Sequence, residues 1–115
     1  ILENNRIQYI IVKDGDTREK LENEFQLLKW ELARYNDLND NFTPVPGQIL
    51  YLEPKREKSD DGLEFHTVAK GETMHFISQK YGIKKKSLLE MNNMVEGSEP
   101  VAGQKILLQG IKPAK

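Results

Sequence analysis

Apolar residues fall in short blocks whose spacing changes from two to between three and four. Tyr9-Ile10-Ile11-Val12 is β-branched and aromatic and closes on Asp14-Gly15-Asp16, the pattern of a strand entering a tight turn. Thr17 follows as an N-cap, and Leu21, Phe25 and Leu28 recur at helical spacing. A second helix is predicted over residues 29–36 with Leu32 inward; then Pro44-Val45-Pro46-Gly47 breaks the pattern and residues 48–52 form a last strand. The order then repeats: Phe65-His66-Thr67-Val68 as strand, Gly71-Glu72 as turn, Thr73 as cap, Ile77 and Tyr81 as buried stripe, and a helix over 85–92 with Leu88 inward. Pro100-Val101-Ala102-Gly103 is the second loop and 104–108 the second closing strand. Gly82 suits a helix end because glycine enters the left-handed conformation at little steric cost, whereas Gln26 is a poorer stop.

Residues 9–52 therefore align with 65–108 without a gap, and the identical pairs are mostly turn and core residues. They include Val12/Val68, Gly15/Gly71, Thr17/Thr73, Leu32/Leu88, Asn36/Asn92, Pro44/Pro100, Gly47/Gly103 and Gln48/Gln104. Asp16 faces Glu72, Phe25 faces Tyr81 and Leu50 faces Ile106. One backbone is specified twice, which predicts two modules at 7–53 and 65–109 joined by a charged linker at 54–64. That linker, and the tail 110–115, carry too little apolar surface to offset ordering and are expected to be solvated. The first few residues, with Asn4-Asn5-Arg6, read as a lead-in.

Modules of this size sit near the lower limit for unassisted folding, about 40 residues. With no cysteine in the chain, disulfides and thiolate zinc sites are excluded. The 17 Lys and Arg against 18 Asp and Glu give a net charge of −1, without the basic excess of a nucleic-acid binder. No apolar run approaches the ~20 residues of a membrane span. The chain starts at Ile1 with neither methionine nor signal peptide, so it is expected to be part of something longer.

No catalytic arrangement emerges. A glycosidase needs two carboxyls ~5–10 Å apart, one kept protonated by its surroundings, and modules this small have little interior in which to do so. No Ser-His-Asp set or phosphate-cradling loop is present, and His66 and His75 are weak evidence for metal, so no cofactor and no metal are expected. Thr17 and Thr73 read as caps, Asp16 and Glu72 as acids favoured beside a helix start, and Asn36 and Asn92 as side chains tying down the loops that follow. Trp30 and Tyr35 read as core or inter-module contacts, and Lys84-Lys85-Lys86 as a solvated helix start.

Taken together, "KGET", "MHFISQKYGI", "KSLLEMN" and "PVAGQKILL" resemble the lysin motif (LysM) family of carbohydrate-binding modules, and the first half carries the same frame. The resemblance implies an α+β fold of two tandem βααβ modules, each with two helices on a two-stranded antiparallel sheet. It implies binding to N-acetylglucosamine chains in peptidoglycan or chitin, in a shallow groove between the turn after the first strand and the loop before the second. Carried over, that groove comprises Gly71, Glu72, Thr73, Met74, His75, Met94, Val95, Pro100 and Val101 in the second copy. In the first copy it comprises Gly15, Asp16, Thr17, Arg18, Leu38, Asn39, Pro44 and Val45. The first copy departs from the family pattern at Arg18, usually apolar, and Glu22, usually small. Met74 and the Met94-Val95 and Pro100-Val101 pairs are expected to keep an apolar groove, whereas Arg18 lays a charged chain across the first copy's wall. The resemblance further implies a cell-envelope, periplasmic or secreted location and a cell-wall hydrolase upstream, tethered by the tandem. The competing reading is a protein-interaction scaffold that keeps the fold without binding glycan.

Overall fold

The computed structural model describes residues 1–60 and 62–109; the expectation for the tail 110–115 lies outside the described residues. The chain divides into two compact units, Ile1–Lys55 and Arg56–Lys115. Unit 1 runs β1 (Leu2–Asn4), β2 (Ile7–Ile11), α1 (Arg18–Glu24), α2 (Glu31–Tyr35), β3 (Ile49–Tyr51). Unit 2 runs β4 (Phe65–Thr67), α3 (Met74–Tyr81), α4 (Lys85–Met91), β5 (Lys105–Leu107). From β2 onward unit 1 shares the strand, helix, helix, strand order of unit 2, and β2 pairs antiparallel with β3 as β4 does with β5.

The repeat extends to individual hydrogen bonds. Val12 N–H donates to the Gln48 carbonyl at 2.9 Å and Val68 N–H to that of Gln104 at 2.9 Å. Thr17 Oγ1 accepts from Lys20 N–H at 3.1 Å and Thr73 Oγ1 from Phe76 N–H at 3.1 Å, so both threonines are N-caps. Gln48 and Gln104 each fold back so that Oε1 accepts from the N–H of Val45 or Val101 at 3.0 Å. Beneath this backbone lie two matching cores: Val12, Leu21, Leu32, Leu50 and Leu52 in unit 1, and Val68, Ile77, Leu88, Ile106 and Leu108 in unit 2.

Asn36 and Asn92 do more than tie down the loops that follow. The Asn36 amide donates to the carbonyls of Leu32 (2.8 Å) and Tyr51 (3.0 Å), and its Oδ1 accepts from Tyr51 N–H at 2.6 Å. Asn92 does the same with Leu88 (2.8 Å), the Leu107 carbonyl (3.0 Å) and Leu107 N–H (2.7 Å). One side chain thus joins the end of the second helix to the last strand in each unit.

Several expectations are corrected. The lead-in forms β1, which pairs with β2 to make unit 1's sheet three-stranded. Asn5 and Arg6, at φ 51° and 64°, make the two-residue turn whose twist suits a hairpin. Leu28 is exposed rather than core, because α1 ends at Glu24 and the helical spacing stops there; Trp30, the residue before α2, is exposed as well, and the Arg34 guanidinium lies 4.9 Å from its ring centroid. The charged segment 54–64 is not uniformly solvated. The Lys55 ammonium is buried against Asp37 at 2.7 Å, Arg56 bridges to Ile83, and Ser59 N–H donates to the Leu108 carbonyl at 2.8 Å.

Two tests follow from this frame. Asn36→Ala leaves a strand N–H and carbonyl unsatisfied in the interior, so urea denaturation of the chain should show unit 1 losing about 2–3 kcal/mol. Gln26 at φ 58° occupies the conformation that Gly82 takes at φ 70°. Gln26→Gly should therefore raise unit 1's stability by up to about 1 kcal/mol through relief of left-handed strain, visible as a higher melting temperature.

Candidate functional site

In each unit the first turn and the long loop meet beside the start of the first helix. Gly15 and Gly71 sit at φ 88° and 86° with open space where a Cβ would stand, so glycine answers to backbone conformation and not to crowding. Gly47 N–H donates to the Val12 carbonyl and Gly103 N–H to that of Val68, both at 2.8 Å, which brings the Pro44-Val45 and Pro100-Val101 corners against the turns. In unit 2 a loop carboxylate also reaches the helix start, with Glu99 Oε1 accepting from Met74 N–H at 2.8 Å. Thr43 stands at the Glu99 position in unit 1. Glu99 was not among the expected site residues; its place three residues past Glu96 in a polar loop gave it no distinguishing mark in sequence.

The expected groove residues separate on exposure. Val95 is 73% exposed and Val101 68% exposed, so both offer apolar surface to solvent, with Met94 half-buried and bound to the Leu89 carbonyl through its N–H. Gly71 and Thr73 are exposed, and Glu72, His75 and Pro100 partly so. Met74 is fully buried in the core, so its side chain offers no surface to a ligand. In unit 1, Gly15, Thr17, Asn39 and Val45 are exposed, Asp16, Arg18 and Leu38 half-buried, and Pro44 buried. Arg18 is corrected. Its guanidinium lies 3.2 Å from Glu22 and its side chain is only 16% exposed, so the two departures from the family pattern form one ion pair where unit 2 packs Met74 beside Ser78. At the position of exposed Val95 unit 1 carries the polar Asn39.

The turn carboxylates cap their own turns: Asp16 Oδ2 accepts from Lys13 N–H and Glu72 Oε1 from Ala69 N–H, both at 2.9 Å. In unit 2 the same oxygen also meets His66 Nε2 at 2.7 Å, and His66 Nδ1 meets the Tyr81 hydroxyl at 2.7 Å. The Ala69 N–H and then the His66 contact hold the Glu72 carboxyl below the usual carboxylate range, while burial and the Glu72 charge push the Tyr81 phenol up. Unit 1 has Ile10 and Phe25 at the His66 and Tyr81 positions, where they line a depression of about 510 Å³ whose apolar wall, with Ile1, Leu2 and Leu21, is rimmed by Lys13, Asp16 and Glu24. His66 is thus engaged by a carboxylate and a phenol, and among the described residues no group of three metal-ligating side chains occurs. No helix of the described residues is long and apolar enough to cross a membrane.

A folded-state carboxyl lowered below its unfolded value contributes stability above the unfolded value and loses it as pH falls through the folded one. Unit 2 should therefore weaken progressively on acidification below about 4.3, the ordinary glutamate value. Glu72→Gln should flatten that part of the profile. Amide exchange at Val68, followed from neutral to acid pH in both proteins, checks it; equal slopes would show that Glu72 is not the titrating group.

The family model described as "LysM domain" matches residues 10–52 and 66–109. The spore cortex-lytic enzyme SleL of Bacillus cereus is 27% identical over 92% of this chain and 23% of its own, with a TM-score of 0.39. SleL of Bacillus megaterium QM B1551 is 22% identical over 95% of this chain and 24% of its own, with a TM-score of 0.38. The chain thus spans about a quarter of the length of these solved structures. No curated protein matches it. LysM domains are generally non-catalytic modules that bind peptidoglycan or N-acetylglucosamine, and they occur in cell-wall hydrolases.

Proposed function

The chain belongs to the LysM domain family across both repeats, and on that premise we propose that it is a glycan-binding tandem for N-acetylglucosamine chains whose working groove is in the second module. The observation that carries this reading is the exposure of Val95 and Val101 on a loop joined to Val68 and Met74, either side of the turn 71–73, by the Gly103 and Glu99 hydrogen bonds. An acetamido group presents a methyl to an apolar rim and an amide to polar partners, and a neutral glycan needs no net charge from a chain at −1.

The first module keeps the frame with less apolar rim, Val45 being exposed beside Asn39 and Pro44 buried. Its contribution is avidity: two linked sites raise the effective concentration of each for one polymer, so a weak first site still strengthens attachment. In that role the tandem holds an attached cell-wall hydrolase on peptidoglycan, outside the cytoplasm. The Arg18–Glu22 pair favours a scaffold role for the first module alone, since it maintains the helix start without adding to a sugar-binding rim.

Titrating the full chain with a soluble β-1,4-linked N-acetylglucosamine oligomer, and following amide shifts residue by residue, tests the assignment. Larger shifts at 71–75 and 94–101 than at 15–18 and 38–45 are expected. Val95→Asn, which copies Asn39, should weaken the second module several-fold, on the order of 1 kcal/mol for a lost apolar contact. The reverse ranking would move the working groove to the first module, and no shift in either would favour the scaffold.

A further inference from the structure

We propose that Glu99 is a positioning residue of the second module. Its carboxylate pins the middle of the loop between α4 and β5 to the start of α3, and so presents Val95 and Val101 to the ligand in one arrangement. This rests on the glycan reading above and names the residue that orders its groove; in this role Glu99 itself does not touch the ligand.

The corresponding loops of the two units are held alike at their ends. Leu38 and Met94 N–H donate to the Ala33 and Leu89 carbonyls, both at 2.9 Å, and Phe42 and Ser98 N–H donate to the Asn39 and Val95 carbonyls, both at 3.0 Å. Each loop also carries one ion pair at 3.6 Å, Asp40 with Arg34 and Glu96 with Lys85, whose loop carboxylates are well exposed and contribute little. The middles differ. In unit 1 the Phe42 ring packs against the core and Pro44 is buried, so the loop is anchored by apolar contact. Unit 2 has Ser98 in the place of Phe42, and Pro100 is only half-buried. The next residue, Glu99, supplies the anchor instead, through its 2.8 Å bond from Met74 N–H, whereas Thr43 at its position in unit 1 makes no hydrogen bond to α1 among the described residues.

The anchor point is rigid and chemically suited to a carboxylate. The first amides of a helix have no partner within it; Thr73 Oγ1 takes that of Phe76 and Glu99 takes that of Met74. An anion at a helix start is favoured by the helix dipole, and a hydrogen bond to it is charge-assisted. The Met74 side chain is fully buried, so the amide that Glu99 holds belongs to the core. Glu99 is exposed and lies outside the apolar cluster, so what it orders is the loop and not the interior. The hold passes in both directions. Toward Val95 it runs through the turn closed by Ser98 N–H, and toward Val101 through Pro100, whose ring fixes its φ. A rim ordered before the ligand arrives loses less conformational freedom on binding.

The test uses the full chain and the soluble N-acetylglucosamine oligomer. Glu99→Thr, which copies Thr43, should lower second-module affinity about fivefold. Without ligand, the same variant should show lower backbone order parameters over 95–101 and faster exchange of the Met74 amide. The Val68 and Gln104 amides report whether the unit stays folded, and Glu99→Asp, one methylene shorter, serves if Glu99→Thr does not. Glu99→Gln keeps an oxygen for the Met74 amide and should restore most of the order and most of the affinity. Loop order unchanged in Glu99→Thr, or affinity unchanged despite a disordered loop, would overturn the assignment and leave the glycan reading standing. So would a Glu99→Gln that keeps the loop ordered yet binds as weakly as Glu99→Thr, since the charge would then be acting on the ligand directly. No second-module shift in the wild type would overturn both.

Discussion

Each unit depends on one carboxamide. Asn36 and Asn92 complete a set of three hydrogen bonds between a helix end and the last strand, and that strand is the one the first strand pairs with. Apolar contact between helix and sheet sets distance poorly along the strand, and the clamp supplies that. With it, the strand register is tied to the helix, and the loop between them has its two ends held at fixed positions. That loop carries the exposed valines of the candidate groove. The small core can tolerate a buried polar side chain because every amide atom of Asn36 has a backbone partner.

Much of this frame was legible because the chain states it twice. Identical residues fell where the backbone needs a specific chemistry: Thr17 and Thr73 at caps, Gly15 and Gly71 at positive φ, Gln48 and Gln104 closing a corner with their own side chains. The repeat could not show β1, since it lies before the aligned segment and its turn, Asn5-Arg6, lacks the glycine that usually marks such a hairpin. Helical spacing misplaced Leu28, because periodicity does not reveal where a helix ends when the terminating residue is Gln26 and not glycine.

The site was legible in outline and not in detail. The candidate turn and loop residues lie on two segments that the hydrogen bonds at Gly103 and Glu99 bring together. Which side chains face out was not readable: Met74 looks like a rim residue in sequence but lies in the core, one position from the cap that fixes its direction. Arg18 and Glu22 looked like independent departures and are one pair. The His66–Tyr81–Glu72 chain joins residues from a strand, a helix and a turn, a juxtaposition that only the fold supplies.

The hairpin at the start of unit 1 separates two boundaries that are easily treated as one. The repeat begins near the middle of β2, yet Asn4, upstream of it, donates to the Tyr51 hydroxyl at 2.9 Å, and Ile7 is buried. At the other end, Lys55 seals the unit from beyond the last repeated residue through its bond to Asp37. Trimming this half to its alignable span would strip both flanks from an interior of only a few aliphatic side chains. The stretch that recurs is thus shorter than the stretch that must be kept whole, and excision, fusion or grafting of this half has to respect the longer one.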